Sequence, residues 1–302
     1  MESPSRAKGG SGLPFGLGAY FLWGLLPLYF KLLASVGPAE IVASRVLFSL
    51  VFLIALLAAT GALGQFKATV RNRAVMGSMM LSAALIGINW LAYVWAISTD
   101  HIVAASLGYF LNPLVNVLLG VVFLKERLSA MQKVAVGVAT LGVAVMAASA
   151  FATLWLSLLL AISFAFYGYI RKTASVGPRQ GLAAETLILT PVALAYMAWL
   201  ASHGGIALGQ DAPRTVLLVL SGVVTSLPLL LFATAARRMP LSTLGLLQYL
   251  SPTIQFFVAV LVFGESLNQG QIASFGLIWA GLAIYTVDSV RSARAARALA
   301  SP

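Results

Sequence analysis

LGYFLNPLVN, residues 107–116, returns 139 positions later as LLQYLSPTIQ, residues 246–255, with the proline in the same place and polar residues at the same three positions. Both copies sit inside apolar stretches, so an oily segment has kept asparagine, glutamine, serine and proline twice. The repeat extends outward. The offset of 139 also pairs Ser82 with Ser221, Glu126 with Glu265, Leu128 with Leu267, Gln132 with Gln271, Gly137 with Gly276 and Gly142 with Gly281. Upstream, ASVGP occurs at 34–38 and again at 174–178, an offset of 140. Leu/Ala/Gly-rich segments match by chance, but paired Pro, Glu and Gln at one constant offset do not follow from composition. The chain is a tandem duplication, and we divide it at 1–149 and 150–302.

Composition fixes the setting. Hydrophobic residues make up 60% of the chain, charged residues 9%, and mean hydropathy is +0.96, which is a membrane protein's profile. Apolar runs long enough to span a bilayer as helices are predicted at 14–33, 40–59, 74–97, 102–123, 131–149, 154–171, 181–201, 214–236, 241–263 and 270–288. The expected fold is an all-α integral membrane protein of ten transmembrane helices. The runs are continuous rather than alternating, which argues against a β-barrel. The first run lacks a small-residue cleavage site and holds Trp23, Pro27 and Tyr29, so it reads as a helix rather than a removed signal.

The formal charge of +11 could point to nucleic acid, but its distribution points to topology instead. With a cytoplasmic N-terminus, alternate loops collect sixteen of the nineteen Lys and Arg residues; Lys31 and Arg214 lie near the outer side and Arg45 within a span. The positive-inside bias therefore places both termini in the cytoplasm. No basic patch is left for nucleic acid. Five spans per half is an odd number, so the second half enters from the opposite face, an inverted repeat of the kind transporters use for alternating access.

Helical spacing puts Tyr109, Asn112 and Asn116 on one face, and Gln248, Ser251 and Gln255 on the matching face, beside Pro113 and Pro252. Amides facing lipid are costly, so these groups turn inward, either as helix-helix hydrogen bonds or as the wall of a substrate pathway. The duplicated set favours the pathway. Asn89, Trp90 and Tyr93 add to the same wall, as do Trp23 and Pro27, and helices carrying Tyr20, Ser163 and Tyr167 supply further polar and aromatic groups. Such a lining suits a small amphipathic organic molecule better than a bare metal ion. No metal site or cofactor is expected: there is no cysteine, and His101 and His203 lie in loops away from acidic pairs.

Three charges lie in or near the spans. The repeat maps Arg45 onto Glu185, so the two either meet or occupy matched sites; Glu40 is a rival partner for Arg45, and snorkelling to the headgroups is a third reading. No carboxylate falls clearly at mid-span, which leaves proton coupling unsupported. Glu126 and Glu265 read as solvated loop charges or as gates. Helices 131–149 and 270–288 carry small residues, Ala135, Ala139, Ala273, Gly276 and Ala280, open to a homodimer face or to internal packing. An enzyme finds no support in these residues, and the alternative to a transporter is a channel or a membrane scaffold.

AYFLWGLLPLYFKLL, EIVASRVLFS, INWLAYVWAI and ASLGYFLNPLVNVLLGVVFLKERLSAMQ together resemble the RarD branch of the EamA group, within the drug/metabolite transporter superfamily, over about 14–288. The resemblance implies a ten-helix inner-membrane exporter of small metabolites or drugs. It also implies that the family's characteristic positions are Trp23 and Gly24, Glu40 and Arg45, Asn89 and Trp90, and Asn112 and Pro113; in the second half Ser251 stands where the first has Asn112.

Overall fold

A computed structural model describes residues 12–98, 101–148, 151–262, 264 and 269–298. The described residues form α1 (Leu13–Lys31), α2 (Pro38–Ala59), α3 (Leu63–Arg71), α4 (Arg73–Ser98), α5 (Ile102–Val122), α6 (Ala130–Ala148), α7 (Leu154–Thr173), α8 (Pro178–Ser202), α9 (Ala212–Arg238), α10 (Leu241–Leu247), α11 (Leu250–Phe257) and α12 (Gln269–Ala298). A 3-10 turn precedes α7 and a π-helical turn, Val258–Val262, follows α11.

Nine helical segments among the described residues are long and apolar enough to cross a membrane, with α10, α11 and the π-turn counted together; α5 contributes a shorter apolar stretch, Ser106–Val122. Large apolar side chains point outward from them, with Val51 65%, Leu91 64% and Val192 69% exposed. Such a surface is stable only where lipid covers it. The chain is a multi-pass membrane protein.

The duplicated ASVGP is a helix start. Gly37 and Gly177 precede Pro38 and Pro178, the first residues of α2 and α8. Proline there has a preset φ and lacks only an N–H that has no partner in a first turn anyway. The other duplicated proline acts differently in its two copies. Pro113 sits inside a continuous α5. Pro252 lies just beyond a break between α10 and α11, where Gln248 O accepts from Ser251 N at 3.0 Å because Pro252 cannot donate to it. The predicted helix 241–263 is thus two helices and a π-turn. α3 was expected to be loop; Leu63, Phe66 and Val70 share its apolar side, and Phe66 is buried while Lys67 and Arg71 stay exposed.

Packing between the halves is reciprocal. α1 packs on α9 as α7 packs on α4, α5 packs on α7 as α11 packs on α1, and α2 with α8, α5 with α10 and α6 with α12 pair across the middle. The α6–α12 contact uses the duplicated glycines: a Cβ on Gly142 would come 2.9 Å from Ser274 O, and one on Gly281 2.7 Å from Ala135 O. Ala135 and Ala139 are therefore spent inside the molecule, while Ala273, Gly276 and Ala280 face outward.

Side-chain contacts gather much of the basic loop charge at one end of the bundle, termed here the basic end. Lys172 Nζ donates to Ala236 O at 3.0 Å and Met239 O at 2.6 Å, and Arg237 donates to Ala174 O and Val176 O, both at 2.7 Å. At the opposite end Glu40 accepts from the backbone N–H groups of Ala207 and Leu208, at 2.9 Å for each shorter contact.

Candidate functional site

α1, α2, α4, α5, α7, α9 and the broken α10–α11 enclose a cavity of about 230 Å³. Its lining runs along α1 from Tyr20 through Trp23 and Pro27 to Phe30, and includes Arg45, Asn89, Trp90, Tyr93, Tyr109, Phe164 and Leu229. Gln248, Ser251, Pro252 and Gln255 complete it. Ten of the thirteen residues proposed for a pathway from sequence are therefore brought to one wall.

Asn112, Pro113 and Asn116 are the three that are not. Asn116 is fully buried and donates to Asn112 Oδ1 at 3.0 Å and to Gln248 Oε1 at 3.1 Å. They stand behind the wall, and Asn116, itself bonded to Asn112, holds Gln248, which does reach the cavity. Gln255 Nε2 donates to Trp23 O at 3.1 Å and Asn89 Nδ2 to Leu160 O at 2.8 Å and Ser163 Oγ at 3.0 Å. The amides thus tie α11 to α1 and α4 to α7 while lining the space between them.

An aromatic floor closes the cavity toward the basic end. Trp23 lies 5.6 Å from Phe232, 5.7 Å from Phe164 and 5.6 Å from Tyr20 between ring centroids, and Tyr20 Oη donates to Leu244 O at 3.0 Å. Below the floor the basic end is sealed by polar contacts. Glu126 accepts from Leu241 N at 2.6 Å, Ser242 N at 2.9 Å and Ser242 Oγ at 2.6 Å. It therefore caps α10, and the reading of Glu126 as a solvated loop charge gives way, because the first turn of α10 presents N–H donors without helical partners that a carboxylate satisfies. Its repeat counterpart Glu265 lies outside the described residues.

The charges in the spans are arranged differently from the expectation. Arg45 and Glu185 do not meet. Glu185, the eighth residue of α8 and 1% exposed, pairs with Arg171 at 3.2 Å, accepts from Ser82 Oγ at 2.6 Å and faces Tyr167 Oη at 3.5 Å. Arg171, counted among the loop charges from sequence, is buried because α7 continues through it. Its Nη2 donates to Pro178 O at 2.9 Å. Glu185 is thus a carboxylate two turns inside a span. Beside it a void of about 10 Å³, bordered by Ser49, Thr225 and Ser226 as well, has room for about one water.

Glu40 is not Arg45's partner either, since its carboxylate holds the 207–208 backbone. Nor does Arg45 reach for headgroups: it lies in the cavity wall, its Nε donating to Thr225 Oγ1 at 2.7 Å and its guanidinium carbon 5.0 Å from the Trp90 ring centroid and 5.4 Å from that of Phe30. Sequence reasoning missed Leu26, Phe30, Phe164 and Leu229, which carry no signal beyond being apolar in apolar helices.

Comparison with known proteins agrees with this architecture. The family described as "EamA-like transporter family" matches twice, over residues 10–148 and 151–287. Protein RarD of Streptomyces exfoliatus is 44% identical over 289 residues, covering 95% of this chain and 92% of the relative. Protein RarD of Escherichia coli is 40% identical, covering 94% and 96%. A Pseudomonas aeruginosa relative named "Chloramphenicol-sensitive protein RarD" is 32% identical over 94% of this chain and 96% of its own. A crystal structure 18% identical superposes with a TM-score of 0.71, covering 91% of this chain and 97% of that one, and so shares the fold. The chain belongs to the EamA-like transporter family and is a multi-pass membrane transporter, not an enzyme.

Proposed function

We propose that the chain is a ten-helix carrier of two inverted five-helix repeats, residues 1–149 and 150–302, which exports a small amphipathic metabolite or drug across the inner membrane by alternating access. The observation that carries this reading is the cavity: polar and aromatic at mid-bundle, and floored by aromatic rings on its side toward the basic end. A channel would need a continuous polar path, and the floor interrupts one. The basic end is the cytoplasmic one, by the positive-inside rule, with both termini on that side. The conformation described is then the outward-facing one, with its inner side held shut by Glu126, Lys172 and Arg237.

Reciprocal packing of the halves supports the inverted repeat, because exchanging their roles converts an outward opening into an inward one. Asn89, Trp90, Tyr93, Tyr109, Gln248, Ser251 and Gln255 contact the substrate, and Asn112 and Asn116 position Gln248. A relative named for chloramphenicol places one small amphipathic molecule among the probes to try. The test is flux into proteoliposomes. Saturable uptake, blocked when Tyr109→Cys is alkylated from the cavity side, is the expected result; non-saturating flux, or uptake untouched by the alkylated cysteine, would reject the carrier reading.

A further inference from the structure

The cavity holds a cation with no counter-charge. Arg45 makes one hydrogen bond, through Nε, and no ion pair among the described residues. The two carboxylates that the sequence offers it are engaged elsewhere, Glu40 by the backbone N–H groups of Ala207 and Leu208 and Glu185 by Arg171. The guanidinium carbon lies over the rings of Trp90 and Phe30, and Thr225 takes its Nε edge. What remains is the terminal pair of nitrogens, which is the fork that accepts a carboxylate's two oxygens side by side. The rest of the lining is largely aromatic, and its polar groups are neutral amides and hydroxyls.

Resting on the carrier reading above, we infer that the substrate is a small organic monoanion, a carboxylate with a flat apolar body, whose carboxylate pairs with Arg45. The charge count sets the single negative charge, because a dianion would leave one charge uncompensated once the cavity closes. The volume sets the size: about 230 Å³ falls below the range of typical small-molecule pockets, roughly 300 to 1,000 Å³, and so admits only a small ligand. Closure also sets the selectivity. A neutral ligand of the same shape leaves the guanidinium unpaired in a space from which water has been expelled, and that penalty falls on occlusion rather than on first contact.

The experiment compares matched acids and amides on the purified full chain: phenylacetate with phenylacetamide, cinnamate with cinnamamide, and indole-3-acetate with indole-3-acetamide. Thermal stabilisation and proteoliposome flux are read for each. The acids are expected to bind about ten- to hundredfold more tightly than their amides, the range of a hydrogen bond to a charged group. Arg45→Gln should erase that preference and Arg45→Lys should keep part of it, since lysine retains the charge without the fork. The acid–amide comparison on the unaltered chain needs no variant to fold. Saturable flux of amides equal to that of acids would overturn the anion inference and leave the carrier intact; a folded protein that neither binds nor moves either series would overturn both.

Discussion

Replacing Glu185 with glutamine tests the buried ion pair on the closed side of the cavity. The amide keeps the shape of the carboxylate and can still accept from Ser82, but it removes the negative charge that pairs with Arg171. The guanidinium, 1% exposed, would then face only neutral acceptors, the new amide oxygen together with Pro178 O and Met79 Sδ at 2.9 and 3.6 Å. A buried charge stripped of its partner costs about 3–5 kcal/mol. At roughly 2–4 °C per kcal/mol for large domains, the unfolding midpoint should fall on the order of 10 °C. The reverse change is milder. In Arg171→Met the orphaned Glu185 can take up a proton and keep Ser82 as a hydrogen-bond partner, whereas an orphaned guanidinium cannot shed one. The double variant Arg171→Met with Glu185→Gln removes both charges, and should unfold within about 1–2 kcal/mol of the parent, since apolar replacements of buried pairs are often neutral. The assay is thermal unfolding in detergent, followed by intrinsic tryptophan fluorescence, on all four proteins. Additive losses in the double variant, or a midpoint unmoved by Glu185→Gln, would refute the claim that the buried pair is coupled.

Gly222→Ala should cost more than about 3 kcal/mol and lower the folded yield, because its Cβ would overlap the Phe48 carbonyl carbon and sit 2.7 Å from Ser49 N, backbone that cannot turn away. Gly276→Ala, with nothing within 4 Å, should gain up to about 1 kcal/mol from helix propensity; paired melting curves check both. Glu126→Gln weakens three hydrogen bonds to α10 and should loosen the seal at the basic end. Because the chain has no cysteine, a single Leu244→Cys can report this as faster labelling by a membrane-impermeant thiol reagent, and an unchanged labelling rate would remove Glu126 from the seal. Asn116→Leu should lower stability by about 0.6–2 kcal/mol through loss of its two side-chain bonds, measured by the same melts, with transport reduced but present.

The helices were legible because lipid leaves the sequence so few options: a run of about twenty apolar residues satisfies its backbone only as a helix. Their ends were less so: α2 and α8 start at the Gly-Pro pairs, at Pro38 and Pro178, two and three residues ahead of the spans read from the apolar runs. The break at Gln248–Tyr249 was not legible, since Pro113 at the matching position leaves α5 unbroken. What separates the copies is tertiary packing, which no single-sequence period carries. α3 could have been found from the spacing of Leu63, Phe66 and Val70. In the site, polar and aromatic residues in oily helices identified most of the cavity wall, yet the same rule could not tell Asn112 and Asn116, which brace the wall, from Gln248, which faces the space. The charges were hardest. Arg171 reads as one more basic loop residue until α7 is seen to continue through it and bury it beside α8.

The duplication predicts more symmetry than the conformation has, and the difference is informative. Arg45 and Glu185 occupy matched places in the two repeats, one facing the cavity and the other shut in a buried contact with Arg171, Ser82 and Tyr167. If the halves exchange conformations, the surroundings of Glu185 open when those of Arg45 close. Arg45 would then need its counter-charge at the moment of closure, and the Arg171–Glu185 pair would be wetted at the moment of opening. A carrier that arranges its charges so favours the loaded protein over the empty one in crossing between states, because only the loaded cavity closes on a compensated guanidinium. That makes exchange faster than net efflux: acid supplied on the far side of a proteoliposome should accelerate release of labelled acid from within, and Arg45→Gln should abolish the acceleration. Release indifferent to acid on the far side would mean that the empty carrier closes over Arg45 as readily as the loaded one, and that the guanidinium finds a counter-charge or water in the closed state.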